Sequence, residues 1–489
     1  MSAQIALERE ADPITDRWGH PRQLWMLLAV TVGMNFGFYG VRAFLAPYIA
    51  QSFYSGLDPA AAQRHADLLT SGSLALMYAT PIVGGYIADK VLGETLSLLL
   101  SLWLLTLSLL LMALPSLFGF EIGMAACSLS VGLSVPLAVL IGRNYPKSDP
   151  RRDGGYTLFY LATNLGGFIA PFLCADWVGH RFGYRMGFLA AAVGMAFAAL
   201  VLQWRWRRLE PLVPQVGTGP RTRAAIAVVG AMGVLLLPMA LLLSHPAILS
   251  AGMYALMGLL VVYFVLSSIR RGDRVQSERY LALLALFIAL VLFWTLSFQG
   301  VTSLNFFARD YVNEPFDYAL FQSANPLYIL LFAPLLAMLW PWLGRRGKDP
   351  STPRKFGIGL VLIASSYGVT AWAIRHGQAP DGKVAWWVLA ACYWLQTIGE
   401  LAINPIGYSL VGLLAAPEEA SFAMGGWFFG LALACQLSGW IATYTASSAH
   451  TGIGVYGVVY QRLFLAGLAV SIAFLLGAPK IRKLMHGVH

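Results

Sequence analysis

Long uncharged runs dominate this sequence. Fourteen stretches of roughly 20 or more mostly apolar residues follow one another between residues 23 and 478, and such a segment can cross the hydrocarbon core of a bilayer as a helix. A helix satisfies its own backbone hydrogen bonds in lipid, which an open strand cannot do. Of the 489 residues, 58% are apolar and 11% charged, against roughly a quarter charged in a soluble domain. That balance excludes a water-soluble enzyme, a disordered chain and a disulfide scaffold. It leaves an all-α polytopic membrane protein with fourteen transmembrane helices. Cys127, Cys174, Cys392 and Cys435 all fall in apolar stretches and read as small buried hydrophobes. The polar first 22 residues precede an apolar run too long for a signal peptide, which reads as a retained first span.

The basic residues orient the chain. With the N-terminus in the cytoplasm, 25 of the 33 Lys and Arg lie on the cytoplasmic side, six outside, and Arg42 and Arg462 within spans. The excess predicts that both termini are cytoplasmic. The net charge of +10 therefore belongs to the membrane and implies no nucleic acid.

The spans divide as six, two and six. Residues 1–22 form a cytoplasmic segment, 23–204 a first six-helix bundle, and 280–478 a second bundle. Residues 205–279 hold cytoplasmic linkers and an inserted helical hairpin, and 479–489 a cytoplasmic tail. The hairpin turns at Ser244–Ala247, a connection without Lys or Arg. Six-helix halves are the repeat unit of the major facilitator fold. Pro81–Lys90 and Pro334–Arg346 occupy corresponding places and share a weak pattern of proline, apolar run and charged turn.

Charge within the hydrocarbon costs about 2.5–3.5 kcal/mol per residue at the centre, so it marks function. Glu400 is the acid placed near the middle of a span, 384–414, with Gln396, Thr397 and Asn404 on its helix face and Tyr393 one turn further. Arg42 shares a face with Asn35 and Tyr39, and reads either as a cavity residue or as an arginine snorkelling to the interface. Tyr160 and Asn164, Gln299 with Thr295 and Thr302, and Asn325 with Gln322 repeat the pattern, and Tyr78 and Trp427 offer an aromatic wall. Singly, each is helix–helix glue or a ligand contact. Together they predict a central substrate-binding cavity. All eight histidines lie in loops, ends or tails, and no metal-ligand spacing or phosphate loop occurs. No metal, cofactor or ATP hydrolysis is implied, and no catalytic constellation lies at membrane depth.

Several motifs resemble those of the proton-dependent oligopeptide transporter (POT) family of the major facilitator superfamily. Phe38–Ala43 is similar to its YYGMRA, and Gly84–Gly93 to its GGxxADxxxG loop. Arg152–Gly166 is similar to RDxGFxxFYxxxNxG. Phe293-Trp294, Gln299-Gly300, Ala324–Leu327, Gly399–Leu401, Pro405–Gly407 and Gly426–Phe428 match as well. The departures are specific. The family's ExxER falls on Thr31–Asn35, its lysine before a proline on Val135, and its acid before Gln-Gly on Phe298.

The resemblance implies two six-helix bundles around one site and a secondary-active transporter working by alternating access. Family members hold a peptide's amino group with residues matching Glu400, Asn164 and Asn325. Arg42 remains to meet an anionic group. The resemblance further implies a peptide-like or amine-bearing substrate, proton coupling through Glu400, and gating by the loop residues Asp89, Lys90 and Asp153. A monomer in the bacterial inner membrane is expected. The neutral replacements leave two alternatives open: uptake or efflux of a larger peptide-derived metabolite such as a siderophore, and a ligand sensor that transports nothing.

Overall fold

The computed structural model describes residues 19–487, apart from 147–148, 150, 214–220, 314, 417–418 and 447–451. Most of the expected segment 1–22 lies outside these residues. The fourteen expected spans appear as helices, labelled here in order. They are α1 (Arg22–Arg42), α2 (Pro59–Leu92), α3 (Glu94–Met112), α4 (Leu117–Arg143), α5 (Arg151–Phe182), α6 (Tyr184–Arg208) and α7 (Thr222–Ser244). There follow α8 (Pro246–Arg270), α9 (Arg274–Tyr311), α10 (Tyr318–Arg345), α11 (Thr352–His376), α12 (Trp386–Leu414), α13 (Ala420–Thr443) and α14 (Ile453–Leu484). Several exceed the roughly 20 residues that a bilayer core requires.

Local chemistry sets the departures from straight helices. The first span stops at Arg42, and a short helix, Leu45–Phe53, continues it after a turn. Within α4 the α-helical hydrogen bonding breaks between Gly132 and Pro136, and Pro136 opens the second piece, where its missing N–H costs nothing. After Pro171, α5 widens into a π-helical stretch, Phe172–Gly179, because proline removes a rung of the ladder. In α9 a tight 3₁₀ turn, Phe298–Val301, divides the helix. Two-residue strands, β1 (Val312–Asn313) and β2 (Val384–Ala385), pair in parallel.

The chain forms two compact units. One comprises residues 1–41 and 80–241, the other residues 42–79 and 242–489. The beginning of α2 therefore groups with the second half of the sequence, and the hairpin helices α7 and α8 fall largely in different units. In the first unit small residues let backbones meet: a Cβ on Gly166 of α5 would lie 2.4 Å from the Val32 carbonyl of α1, and one on Gly84 of α2 would lie 2.0 Å from that of Gly132. In the second unit Gly399 and Gly359 bring α12 against α11 in the same way. Close approach over small residues supplies the packing that hydrophobicity cannot supply between helices in lipid. All four cysteines are buried and unpaired.

Candidate functional site

The site is built outward from Glu400. Gly399 fixes α12 against α11, and the next residue stands about 100° further round the helix. Glu400 is 8% exposed. Its Oε2 accepts a hydrogen bond from Asn325 Nδ2 at 2.8 Å. The same amide nitrogen lies 3.1 Å from Thr397 Oγ1, and Thr397 donates to the Tyr393 carbonyl one turn back at 2.8 Å. Asn325 owes its place to the start of α10, where Asp317 accepts from the Ala319 N–H at 2.8 Å and opens the tight turn Tyr318–Ser323. Arg42 belongs to the same unit, and its charge is felt at Glu400, Tyr393 and Cys435. A buried carboxylate with a neutral donor and a cation within electrostatic range is a polar site held in low dielectric, where such interactions are strong.

The other expected residues divide by what they touch. Gln299 is fully buried; it donates to the Ser438 carbonyl at 3.0 Å and accepts from Ser303 at 2.6 Å. It ties α9 to α13. Gln396 turns to α11, within 3.3 Å of Ser366 Oγ and 3.5 Å of Tyr367 Oη. Asn404 is half-buried one turn beyond Glu400. Tyr78 lies 5.6 Å, centroid to centroid, from Phe298, which in turn lies 5.2 Å from Trp294. The aromatic wall is thus Tyr78–Phe298–Trp294. Trp427 is buried against Gly407 and Phe287 and borders an apolar groove lined by Leu260, Phe264 and Leu283.

Four binding candidates and the three gating candidates belong to the first unit. Asn35 and Asn164 are buried, and each donates to a carbonyl one turn back on its own helix, Thr31 and Tyr160, both at 2.9 Å. These bonds engage the amide nitrogens. Tyr39 and Tyr160 are half-buried. Asp89 and Lys90 were expected in a loop but stand exposed in a π-helical turn, Ala88–Leu92, at the end of α2. Asp153, expected likewise, is exposed in the first turn of α5. The motif glycine Gly93, at φ +80°, ends α2 just beyond them. Nearby, Glu94 accepts two hydrogen bonds from Arg143, one at 2.6 Å, so the motif region carries a bidentate ion pair that sequence reasoning did not single out.

Sequence reasoning also passed over Asp67. The hydropathy of the sequence predicts a span over residues 67–89, with Asp67 at its very start. The helix begins eight residues earlier, at Pro59, and Asp67 is fully buried. Alanines 60–62 and 66 could have signalled that earlier start, since alanine is the strongest helix former.

Among the described residues thirteen helices are long and apolar enough to cross a membrane, and with a buried carboxylate and polar groups among them they define a polytopic membrane protein, which the following matches identify as a secondary-active transporter. The POT family model matches residues 95–459, and the chain belongs to that family. It is 30% identical to the "Uncharacterized transporter YclF" of Bacillus subtilis, with 96% of each chain covered. It is 28% identical to the "Dipeptide and tripeptide permease B" of Yersinia enterocolitica, covering 95% of this chain and 96% of that one. Among solved structures, a mutant of the peptide transporter POT in complex with alafosfalin superposes with a TM-score of 0.84 at 28% identity, over 97% of this chain and 98% of that one. A POT family transporter in complex with 5-aminolevulinic acid gives 0.80 at 28% identity, over 96% and 98%.

Proposed function

We propose that this transporter moves a peptide-like or amine-bearing small molecule by alternating access. We place it in the bacterial cytoplasmic membrane as a monomer, with both termini in the cytoplasm. The observation that carries the reading is Glu400, a buried carboxylate held by Asn325 with Arg42 within electrostatic range. A substrate ammonium beside that carboxylate replaces solvation lost on burial, and Arg42 is the group for an anionic end. Alafosfalin and 5-aminolevulinic acid, bound by the solved relatives, each carry an amino group and an acid group. Tyr39, Tyr78, Tyr160, Asn35 and Asn164 are assigned to the body of the substrate. Asp89, Lys90 and Asp153 are assigned to gating.

Proton coupling is part of the proposal and rests on Glu400, because the family's other charges are here Thr31, Met34, Asn35, Val135 and Phe298. The test is dipeptide uptake into liposomes holding the purified protein, with and without an inward pH gradient. Faster initial uptake with the gradient is expected. Equal rates would remove the symport claim, and no dipeptide flux in either condition would remove the substrate class. No observation favours the siderophore or the sensor.

A further inference from the structure

We propose that Asp67 is a proton-controlled latch: the outer part of α2 closes against α13 only when this carboxyl carries a proton. The proposal rests on the transport reading above for the meaning of outer, and on burial and packing for its chemistry.

Asp67 is fully buried, and among the described residues neither carboxyl oxygen has a hydrogen-bond partner. α13 packs closely on this stretch of α2. A Cβ on Gly439 of α13 would stand 1.8 Å from Ser71 Oγ and 3.3 Å from the Asp67 carbonyl oxygen. The neutral amide of Gln63, one turn back on α2, is the nearest polar group to the carboxyl, and the geometrically good hydrogen bonds of this stretch go elsewhere. Gln63 donates to Tyr456 Oη at 3.1 Å and to Thr445 Oγ1 at 3.3 Å. Arg64 donates to the Ala446 carbonyl at 3.0 Å. These bonds fasten α2 to the end of α13 and to α14.

Titratable groups on the packed elements are Tyr48 of the short helix, Tyr254, Tyr263 and Arg270 of α8, Cys435 of α13, and Tyr456, Tyr460, Arg462, Lys480, Arg482 and Lys483 of α14. Of these, Tyr456 is the one whose electrostatics register Asp67, among the described residues. Among the described residues no cation pairs with this carboxyl, and an uncompensated buried charge is avoided by neutralisation. Just beyond Gln63 lies a pocket of about 440 Å³, lined by Tyr54, Gln63, Arg309, Asp310 and Tyr456 among others, from which water reaches the latch as it opens. Closing transfers one proton from hydronium to the carboxylate, and opening returns it.

The experiment places spin labels at exposed Ser55 and Tyr444, through Ser55→Cys and Tyr444→Cys, in the full-length protein in nanodiscs. The native cysteines are buried and stay unlabelled. The distance distribution should shift toward separated states as the buffer goes from mildly acidic to mildly alkaline. Asp67→Asn, neutral at every pH, should hold the short distance throughout, and the smaller Asp67→Ser should also lose the pH response. A wild-type distribution that ignores pH, or an Asp67→Asn protein that keeps the full response, overturns the proposal. Should both variants fail to fold, the wild-type response alone decides. Dipeptide stabilisation of the same wild-type sample, read by thermal shift, reports on the transport reading separately.

Discussion

Two acids are buried in the same unit, and their surroundings differ. Glu400 has Asn325 at 2.8 Å and the field of Arg42. Asp67 has no cation among the described residues, its nearest polar neighbour is the neutral amide of Gln63 one turn back, and a tightly packed helix faces it. Burial alone therefore assigns no role. An acid supplied with partners can stay charged and wait for a cationic ligand. Burial without a compensating cation favours the neutral form of an acid, and such an acid couples protonation to the packing around it. The first arrangement suits recognition and the second suits switching.

The largest effect should come from Glu400→Gln. The variant keeps size and a hydrogen-bonding oxygen but loses the charge. Charged hydrogen bonds contribute about 1.5–3 kcal/mol, so dipeptide affinity should fall by roughly 10–150-fold in a binding titration while the melting temperature holds. Unchanged affinity would leave Glu400 no nearer to recognition than Asp67. Next comes Gly439→Ala, which drives a methyl into Ser71 and should cost the closed arrangement about 1–3 kcal/mol. Spin-label distances at a fixed acidic pH check it: the separated population should grow, with ligand affinity in the wild-type range once corrected for the competent fraction. A distribution identical to wild type would mean that α2 and α13 are not in register at Gly439.

The contrast between these acids was only half legible in the sequence. Glu400 stood out because it lies in mid-span with Gln396, Thr397 and Asn404 at helical spacing, and that pattern needs no tertiary information. Asp67 lay hidden at an expected boundary, where hydropathy falls gradually through Gln63, Arg64 and His65 and gives no sharp signal. The fourteen helices were legible for the reason Glu400 was: the bilayer requires length and apolarity, both local properties. Partner choice was not. Gln396 and Thr397 are neighbours in sequence, yet one turns to Ser366 of α11 and the other to Asn325 of α10. Likewise, the hydrogen bond from Gln299 to Ser438 spans 139 residues, and no spacing rule reaches that far.

A third buried acid lies between these extremes. Glu419, before α13, accepts hydrogen bonds from Tyr263 at 3.2 Å, from Ser267 at 2.6 Å and from Tyr280. Two of those hydroxyls sit on α8, so the inserted helix is fastened to the α12–α13 connection by a carboxylate with several donors. Tyr280→Phe removes one donor and keeps the ring, and should lower stability by about 1 kcal/mol, visible as a lower melting temperature with transport retained. If transport fell while the melting temperature held, Glu419 would belong with the functional acids.

The smallest effect should come from Gln396→Met. Spacing alone puts Gln396 beside Glu400, but its amide lies within 3.5 Å of Ser366, Tyr367 and Cys392, and it is 4% exposed. Methionine is close to glutamine in length and adapts to irregular gaps, so the loss is a weak set of long hydrogen bonds, worth about 1 kcal/mol or less of stability. Dipeptide affinity should stay within about twofold of wild type, well inside the 1.4 kcal/mol that a tenfold change represents. A drop as large as that of Glu400→Gln would mean that α12 turns during the transport cycle to carry Gln396 away from α11. The recognition site would then be a face of the helix rather than one acid and its partners.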